Sequence, residues 1–158
     1  MRTVTRSQLR RSTPLSGGRT KPIVSPDYIV GLTDGEGCFY ILNTKRIACE
    51  FQVSQKQRAV LNELQEFFKC GYVKPKYDKA QTFVYVVKQI RDLSTIIVPF
   101  FKEHPLLVKR EQFEVFAKAV QIQSTKLHLT AEGKQQIACL KLGSSETIRQ
   151  ASVPKGMD

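Results

Sequence analysis

Cysteine is scarce in this chain, and its four copies are scattered. Cys38, Cys49, Cys70 and Cys139 form no C-x-x-C pair, and neither His104 nor His128 lies beside one of them. That excludes a disulfide-stapled miniprotein and leaves a structural zinc site without a ligand set. Ordinary thiols in a reducing compartment are the remaining reading. Long apolar runs are missing as well. No window approaches the roughly 18 consecutive apolar residues of a membrane span, and the first residues carry charge where a secretory signal would carry an apolar block. No membrane partner is expected. Acid is the third shortage, with 14 Asp and Glu set against 25 Lys and Arg, for a net charge of +11. Such a surplus favours polyanionic partners through phosphate neutralisation and counterion release, so nucleic acid is the first candidate.

The surplus is uneven. Residues 1–26 contain Arg2, Arg6, Arg10, Arg11, Arg19 and Lys21 and no acid. The stretch is rich in Ser, Thr, Gly and Pro and too poor in apolar residues to offset its own ordering entropy. Residues 1–24 therefore read as a basic, flexible tail, either a phosphate-grasping arm or an organellar transit segment. Residues 25–150 read as one globular domain, and 151–158 as a C-terminal tail. With 41% hydrophobic residues in 158, one core of ordinary size is affordable.

Punctuation within the domain is regular. Ser25-Pro26-Asp27 combines an N-cap, a proline at the first helical position and an acid in the first turn, and predicts a helix to about Glu36. Cys38–Leu42 and Ile47–Ser54 flank Asn43-Thr44-Lys45-Arg46 as a hairpin. Val60, Leu61, Leu64, Phe67 and Phe68 recur at helical spacing and stop at Cys70-Gly71. A second strand pair is expected over Tyr72–Tyr77 and Thr82–Lys88, with Pro75 at an edge. A helix over Arg91–Lys102 should break or kink at Pro99. Another starts near Val108 with Phe113, Phe116, Ala117 and Val120 as its buried stripe, and a last one spans Thr130–Leu142, ended by Gly143. The order αββαββααα is an α+β arrangement: helices cover one face of a four-stranded antiparallel sheet and leave the other open. By alternation, Phe39, Ile41, Phe51 and Val53 should face the helices. Tyr40, Leu42, Glu50, Gln52 and Ser54 should face outward, joined by Lys74, Lys76 and Lys88, with Arg46 in the hairpin turn.

One segment breaks local propensity. Gly31 and Gly35 lie a turn apart in the first helix, each costing about 0.5–1 kcal/mol relative to Ala. Together they form a small-x-x-x-small groove suited to close helix packing. Asp34 and Glu36 sit at the C-terminal end of the same helix, where carboxylates oppose the macrodipole and a nearby cation would make the placement favourable.

The segment Ile29-Val30-Gly31-Leu32-Thr33-Asp34-Gly35-Glu36-Gly37 resembles the signature of the LAGLIDADG homing endonucleases. Gly31, Leu32, Asp34 and Gly37 match the consensus, and Glu36 replaces its last Asp. Phe51-Gln52-Val53-Ser54-Gln55-Lys56, Gly71-Tyr72-Val73, Pro99-Phe100-Phe101-Lys102, Val108–Glu114 and Leu129–Gly133 resemble further family segments in the same order. The resemblance implies an αββαββα fold whose four-stranded saddle binds DNA. It implies a Mg²⁺-dependent endonuclease that makes double-strand breaks in a long, partly palindromic site and leaves 3′ overhangs. It also implies a homodimer, since one signature is present, with Gly31, Leu32 and Gly35 at the interface.

By the same resemblance, Glu36 is the metal ligand, with the Gly35 carbonyl as a second, and Asp34 is a structural cap. Gln55, Lys109 and Arg58 serve the scissile phosphate and the attacking water. Tyr40, Leu42, Arg46, Glu50, Gln52, Ser54, Lys74, Lys76 and Lys88 are the implied DNA contacts. Gln52 suits adenine, Lys74 or Lys76 guanine, and Glu50 could accept from cytosine. Organellar introns are the expected setting, with the nucleus as the other. RNA maturases share the scaffold, so RNA is the alternative partner, and a small ribosome-associated protein would account for the charge but not for Gly31, Gly35 and Glu36.

Overall fold

A computed structural model describes residues 23–43 and 47–140 of the chain. Arg46, Gly143, most of the expected basic tail and the C-terminal tail lie outside the described residues. The last two residues of the expected tail are engaged: the Ile23 amide donates to Glu63 Oε2 at 3.2 Å, and Val24 packs against the core.

Helix α1 (Pro26–Glu36) begins where the N-cap predicts, with the Tyr28 amide donating to Ser25 Oγ at 3.2 Å. It passes directly into β1 (Gly37–Asn43), which pairs with β2 (Ile47–Gln55) in a register placing Phe39 opposite Phe51. Gly37 makes that junction possible, because a Cβ there would lie 2.6 Å from both the Thr33 side chain and its carbonyl oxygen. Helix α2 (Arg58–Phe68) follows. It ends on Lys69 in the left-handed conformation, φ 55°, and not on a glycine. Gly71 takes its own positive φ of 72° two residues later, at the entry to β3 (Tyr72–Pro75). That strand stops at Pro75, short of the expected Tyr77.

Strand β4 (Phe83–Val87) pairs with both β2 and β3, and the four strands lie in the order β1-β2-β4-β3, all antiparallel. Pro75 is thus on an edge strand, where it is tolerated.

The expected break at Pro99 is replaced by a different accommodation. Helix α3 (Ile90–Asp92) continues into a π-helical stretch, Leu93–Ile97, and then α4 (Val98–Glu103), with no interruption. The Val98 amide donates five residues back to Leu93, so the wider turn just ahead of Pro99 leaves the proline in the first turn of α4, where no N–H is required of it. Helix α5 (Arg110–Ser124) starts two residues later than expected and buries Phe113, Phe116, Ala119 and Val120, while Ala117 is half-buried. A 3₁₀ turn, Leu127–Leu129, leads into α6, which covers 131–140 of the described residues and is capped by Thr130 Oγ1 accepting from the Gly133 amide at 3.1 Å.

The core lies between the sheet and the helices. Phe39 stacks on Phe51, with ring centroids 5.2 Å apart, and meets Phe116 at 5.1 Å and Phe113 at 5.5 Å. Val53, Leu61, Leu64, Tyr85 and Phe101 belong to the same buried cluster, with Ile41 partly buried at its margin. Each strand turns one face to this cluster; on the opposite face Tyr40, Leu42, Tyr72 and Lys74 are exposed, whereas Glu50, Val84 and Val86 are buried.

Candidate functional site

Charge at the C-terminus of α1 is resolved within the chain. Lys109, at the N-cap position of α5, sends its ammonium under the end of α1. There its Nζ donates to the carbonyls of Thr33 and Gly35, both at 3.3 Å, and to that of Gly37. The Thr33 carbonyl also accepts from the Gly37 amide, the Gly35 carbonyl belongs to the last turn of α1, where intrahelical partners run out, and a cation is favoured there by the macrodipole. The cation that the acidic helix end calls for is therefore supplied in the first instance by a lysine.

Asp34 holds that lysine's loop in place. Its Oδ2 accepts from the Leu107 amide at 2.9 Å, and its Oδ1 from the amides of Val108 at 3.2 Å and Lys109 at 3.1 Å. Three amides at the start of α5 are thus tied to a carboxylate more than seventy residues earlier in the chain. Charge-assisted bonds of this kind are worth about 1.5–3 kcal/mol each. Leu107 and Val108 carry exposed side chains on this loop, and Leu106 anchors it in the core.

Glu36, the last residue of α1, is exposed and has no hydrogen-bond partner among the described residues. With the adjacent Gly35 carbonyl, whose oxygen retains a second lone pair beside Lys109, it offers hard oxygen donors of the kind a divalent cation such as Mg²⁺ prefers. The fit is partial: among the described residues no three His, Cys, Asp or Glu side chains come together to hold a metal.

Gln55 ends β2 two residues beyond the partner of Gly37, which carries it past the α1–β1 junction, and its Oε1 accepts from the Lys56 amide at 2.8 Å. Arg58 opens α2 with its guanidinium 5.6 Å from the centre of the Phe83 ring, a cation–π contact. No contact joins it to Glu36 or Lys109.

Gly31 and Gly35 occupy the exposed side of α1, and a Cβ on either would have nothing within 4 Å. Nothing inside the described chain requires them to be glycine. Leu32 beside them is half-buried, packed on the core's margin.

On the open face of the sheet, Tyr40 and Leu42 are exposed, Gln52 and Ser54 half-buried, and Lys74, Lys76 and Lys88 exposed. Lys76 falls just past the end of β3, its amide donating to the Thr82 carbonyl at 2.8 Å. Glu50 departs from expectation. It belongs to this face but is only 9% exposed, enclosed by an ion pair with Lys88 and a hydrogen bond from Gln52. Strand β4 adds only Val84 and Val86, opposite Ser54 and Gln52. The Glu50–Lys88 pairing had no signal in the sequence, because it depends on β2 lying next to β4, an order that strand patterns alone do not give. A roomy groove of about 920 Å³ between α5 and α6, lined by Val115, Ile122, Leu127 and Leu140 among others, contains none of these residues.

Residues 29–120 match the family model described as LAGLIDADG endonuclease. The chain is 28% identical over 161 residues to a probable intron-encoded endonuclease 2 of Neurospora crassa, covering 92% of this chain and 35% of that protein. The curated relatives it matches are longer, and it spans between 26% and 60% of their lengths. Among solved structures, the homing endonuclease I-TnaI superposes with a TM-score of 0.67 at 31% identity, over 74% of this chain and 85% of that one. I-SmaMI, bound to uncleaved DNA target in the presence of calcium ions, superposes with a TM-score of 0.71 at 26% identity, over 78% and 45%. No helix among the described residues is long and apolar enough to cross a membrane. A glycine-bearing helix that ends on an acid, feeds directly into a four-stranded open saddle and matches this family over most of that length is decisive: the chain belongs to the LAGLIDADG endonuclease family.

Proposed function

We propose that the chain is a site-specific, divalent-metal-dependent DNA endonuclease that works as a homodimer and breaks both strands of a long, partly palindromic site, leaving 3′ overhangs. The observation that carries this reading is the end of α1, where an unpartnered Glu36 carboxylate lies beside carbonyls gathered by Lys109. The calcium and DNA named for I-SmaMI support it. So do the bare Gly31 and Gly35, which suit a backbone-to-backbone meeting of two α1 helices. Such a meeting brings two Glu36 carboxylates to one axis and joins two saddles end to end. The intron-encoded fungal relative supports an intron as the setting, which this reading places in an organelle.

The reaction is phosphodiester hydrolysis. A water oxygen bonds to phosphorus, the bond to the 3′ oxygen breaks, and the departing oxygen takes up a proton, giving a 3′-hydroxyl and a 5′-phosphate. Glu36 and the Gly35 carbonyl would hold Mg²⁺, which when bound supplies water activation and charge neutralisation at the phosphate. Lys109 places positive charge where negative charge grows in the transition state. Asp34 keeps Lys109 at that height by fixing the loop that carries it. Gln55 offers a polar contact to the phosphate or the water. No covalent enzyme intermediate is needed.

Glu36→Gln separates binding from cutting. This variant is expected to bind target DNA within a few-fold of wild type and to lose cleavage by at least about 100-fold. Cleavage by Glu36→Gln at the wild-type rate, or full wild-type activity in excess EDTA, contradicts the assignment.

A further inference from the structure

The two oxygens of Glu50 are divided between partners on the open face of the sheet. Oε1 pairs with Lys88 Nζ at 2.9 Å, and Oε2 accepts from Gln52 Nε2 at 2.9 Å. A carboxylate only accepts, so the end of the Gln52 carboxamide that meets it is the NH₂ group and Gln52 Oε1 is turned away. What Gln52 has left is one acceptor oxygen and one free N–H. That pair complements the N6 donor and N7 acceptor of adenine in the major groove. A freely rotating glutamine could present either end. On the same face β4 offers no donor or acceptor side chain beside Gln52, because its residue opposite Gln52 is Val86, which is fully buried. The hydrogen bond to Glu50 also pushes the Lys88 ammonium pKa up, keeping the cation charged beside it.

We propose that Glu50 is a positioning residue for sequence readout: buried and engaged on both oxygens, it contacts no base itself but presets the Gln52 carboxamide and the Lys88 ammonium as one reading unit. The proposal rests on the open face being the DNA-binding surface.

The test uses the full chain in four forms: wild type, Glu50→Ala, Gln52→Ala and the double variant, with Glu50→Gln as the conservative replacement. Bound sites are selected from a randomised duplex library, and the side-chain amide resonances of Gln52 are recorded in the free protein. Glu50→Ala should lose preference at the same symmetric pair of positions as Gln52→Ala, by about tenfold, the order of one bidentate base contact. The double variant should lose no more than Gln52→Ala alone. Glu50→Gln, whose amide oxygen can still accept from Gln52, should retain most of the preference while shifting the Gln52 amide resonances. Relaxation by Glu50→Ala at a separate position, multiplying losses in the double variant, or Gln52 resonances unmoved by Glu50→Gln each overturn the proposal. Should Glu50→Ala not fold, the Glu50→Gln resonances and selected profile decide it. A wild-type chain that selects no sequence overturns this proposal and the DNA reading together, whereas intact selection with unmoved resonances overturns this one alone.

Discussion

Tyr85 shows how a single residue's burial carries a measurable consequence. Its ring is fully buried in the core, and its hydroxyl donates to the Cys70 carbonyl at 2.9 Å. Burial, followed by the neighbouring Cys70, pushes the phenol pKa far above its ordinary value of 10.0. A folded-state pKa above the unfolded one means that the contribution is complete below about pH 10 and declines as pH rises past it, since only the unfolded chain then releases the proton. Stability from urea unfolding should therefore fall between pH 9 and 11, and Tyr85→Phe should flatten part of that fall while costing about 1–2 kcal/mol at pH 8 for the lost hydrogen bond. An identical pH slope in the variant would show that Tyr85 does not titrate this way. At the same scale, the position of Glu36 at the end of α1 was legible, because the Ser25-Pro26-Asp27 start and the glycines near its end mark out the helix. The target of Lys109 was not, because nothing local in the sequence says that a lysine more than seventy residues on reaches the Thr33, Gly35 and Gly37 carbonyls. The enclosure of Glu50 was not legible for the same reason: its partner Lys88 is brought close only by the β2–β4 pairing.

Element by element, what sequence periodicity could express was recovered, and what depends on neighbours was not. Ser25 and Thr130 capped their helices, and strand alternation placed Phe39, Phe51 and Val53 inward, because these signals are local. The termination of α2 was only half legible: a glycine follows it, yet Lys69 takes the first left-handed position and Gly71 the second. Gly71 is nonetheless the stricter site. A Cβ there would lie 2.6 Å from the Val86 carbonyl oxygen, on top of an unfavourable φ, in the turn that seats β3 against β4. Gly71→Ala should destabilise the fold by at least about 2 kcal/mol in urea unfolding, well beyond the usual penalty of a surface change. A loss under about 0.5 kcal/mol would mean that the turn relaxes freely. Pro99 was legible as a disturbance but not in its resolution, since a π-helical turn ahead of a proline depends on how Leu93 and Ile97 seat in the core.

For the whole molecule, the sheet's exposed saddle and the bare side of α1 define two surfaces that the described chain leaves uncovered. If α1 is the dimer seam, Gly31→Leu should leave the protomer as stable as wild type, because there is nothing within 4 Å to strike and leucine favours helix, yet convert the dimer to monomer in light scattering. A Gly31→Leu chain that remains dimeric at low concentration would place the seam elsewhere. The central claim is that two such protomers read and cut one DNA site with metal held at Glu36, and its most direct test is selection of cleaved sites from a randomised duplex library in Mg²⁺, wild type beside Glu36→Gln. Wild type should return one recurrent, partly palindromic site with breaks in both strands, and Glu36→Gln should return none. Recovery of no recurrent site with wild type, or of the same cleaved site with Glu36→Gln, would contradict the account.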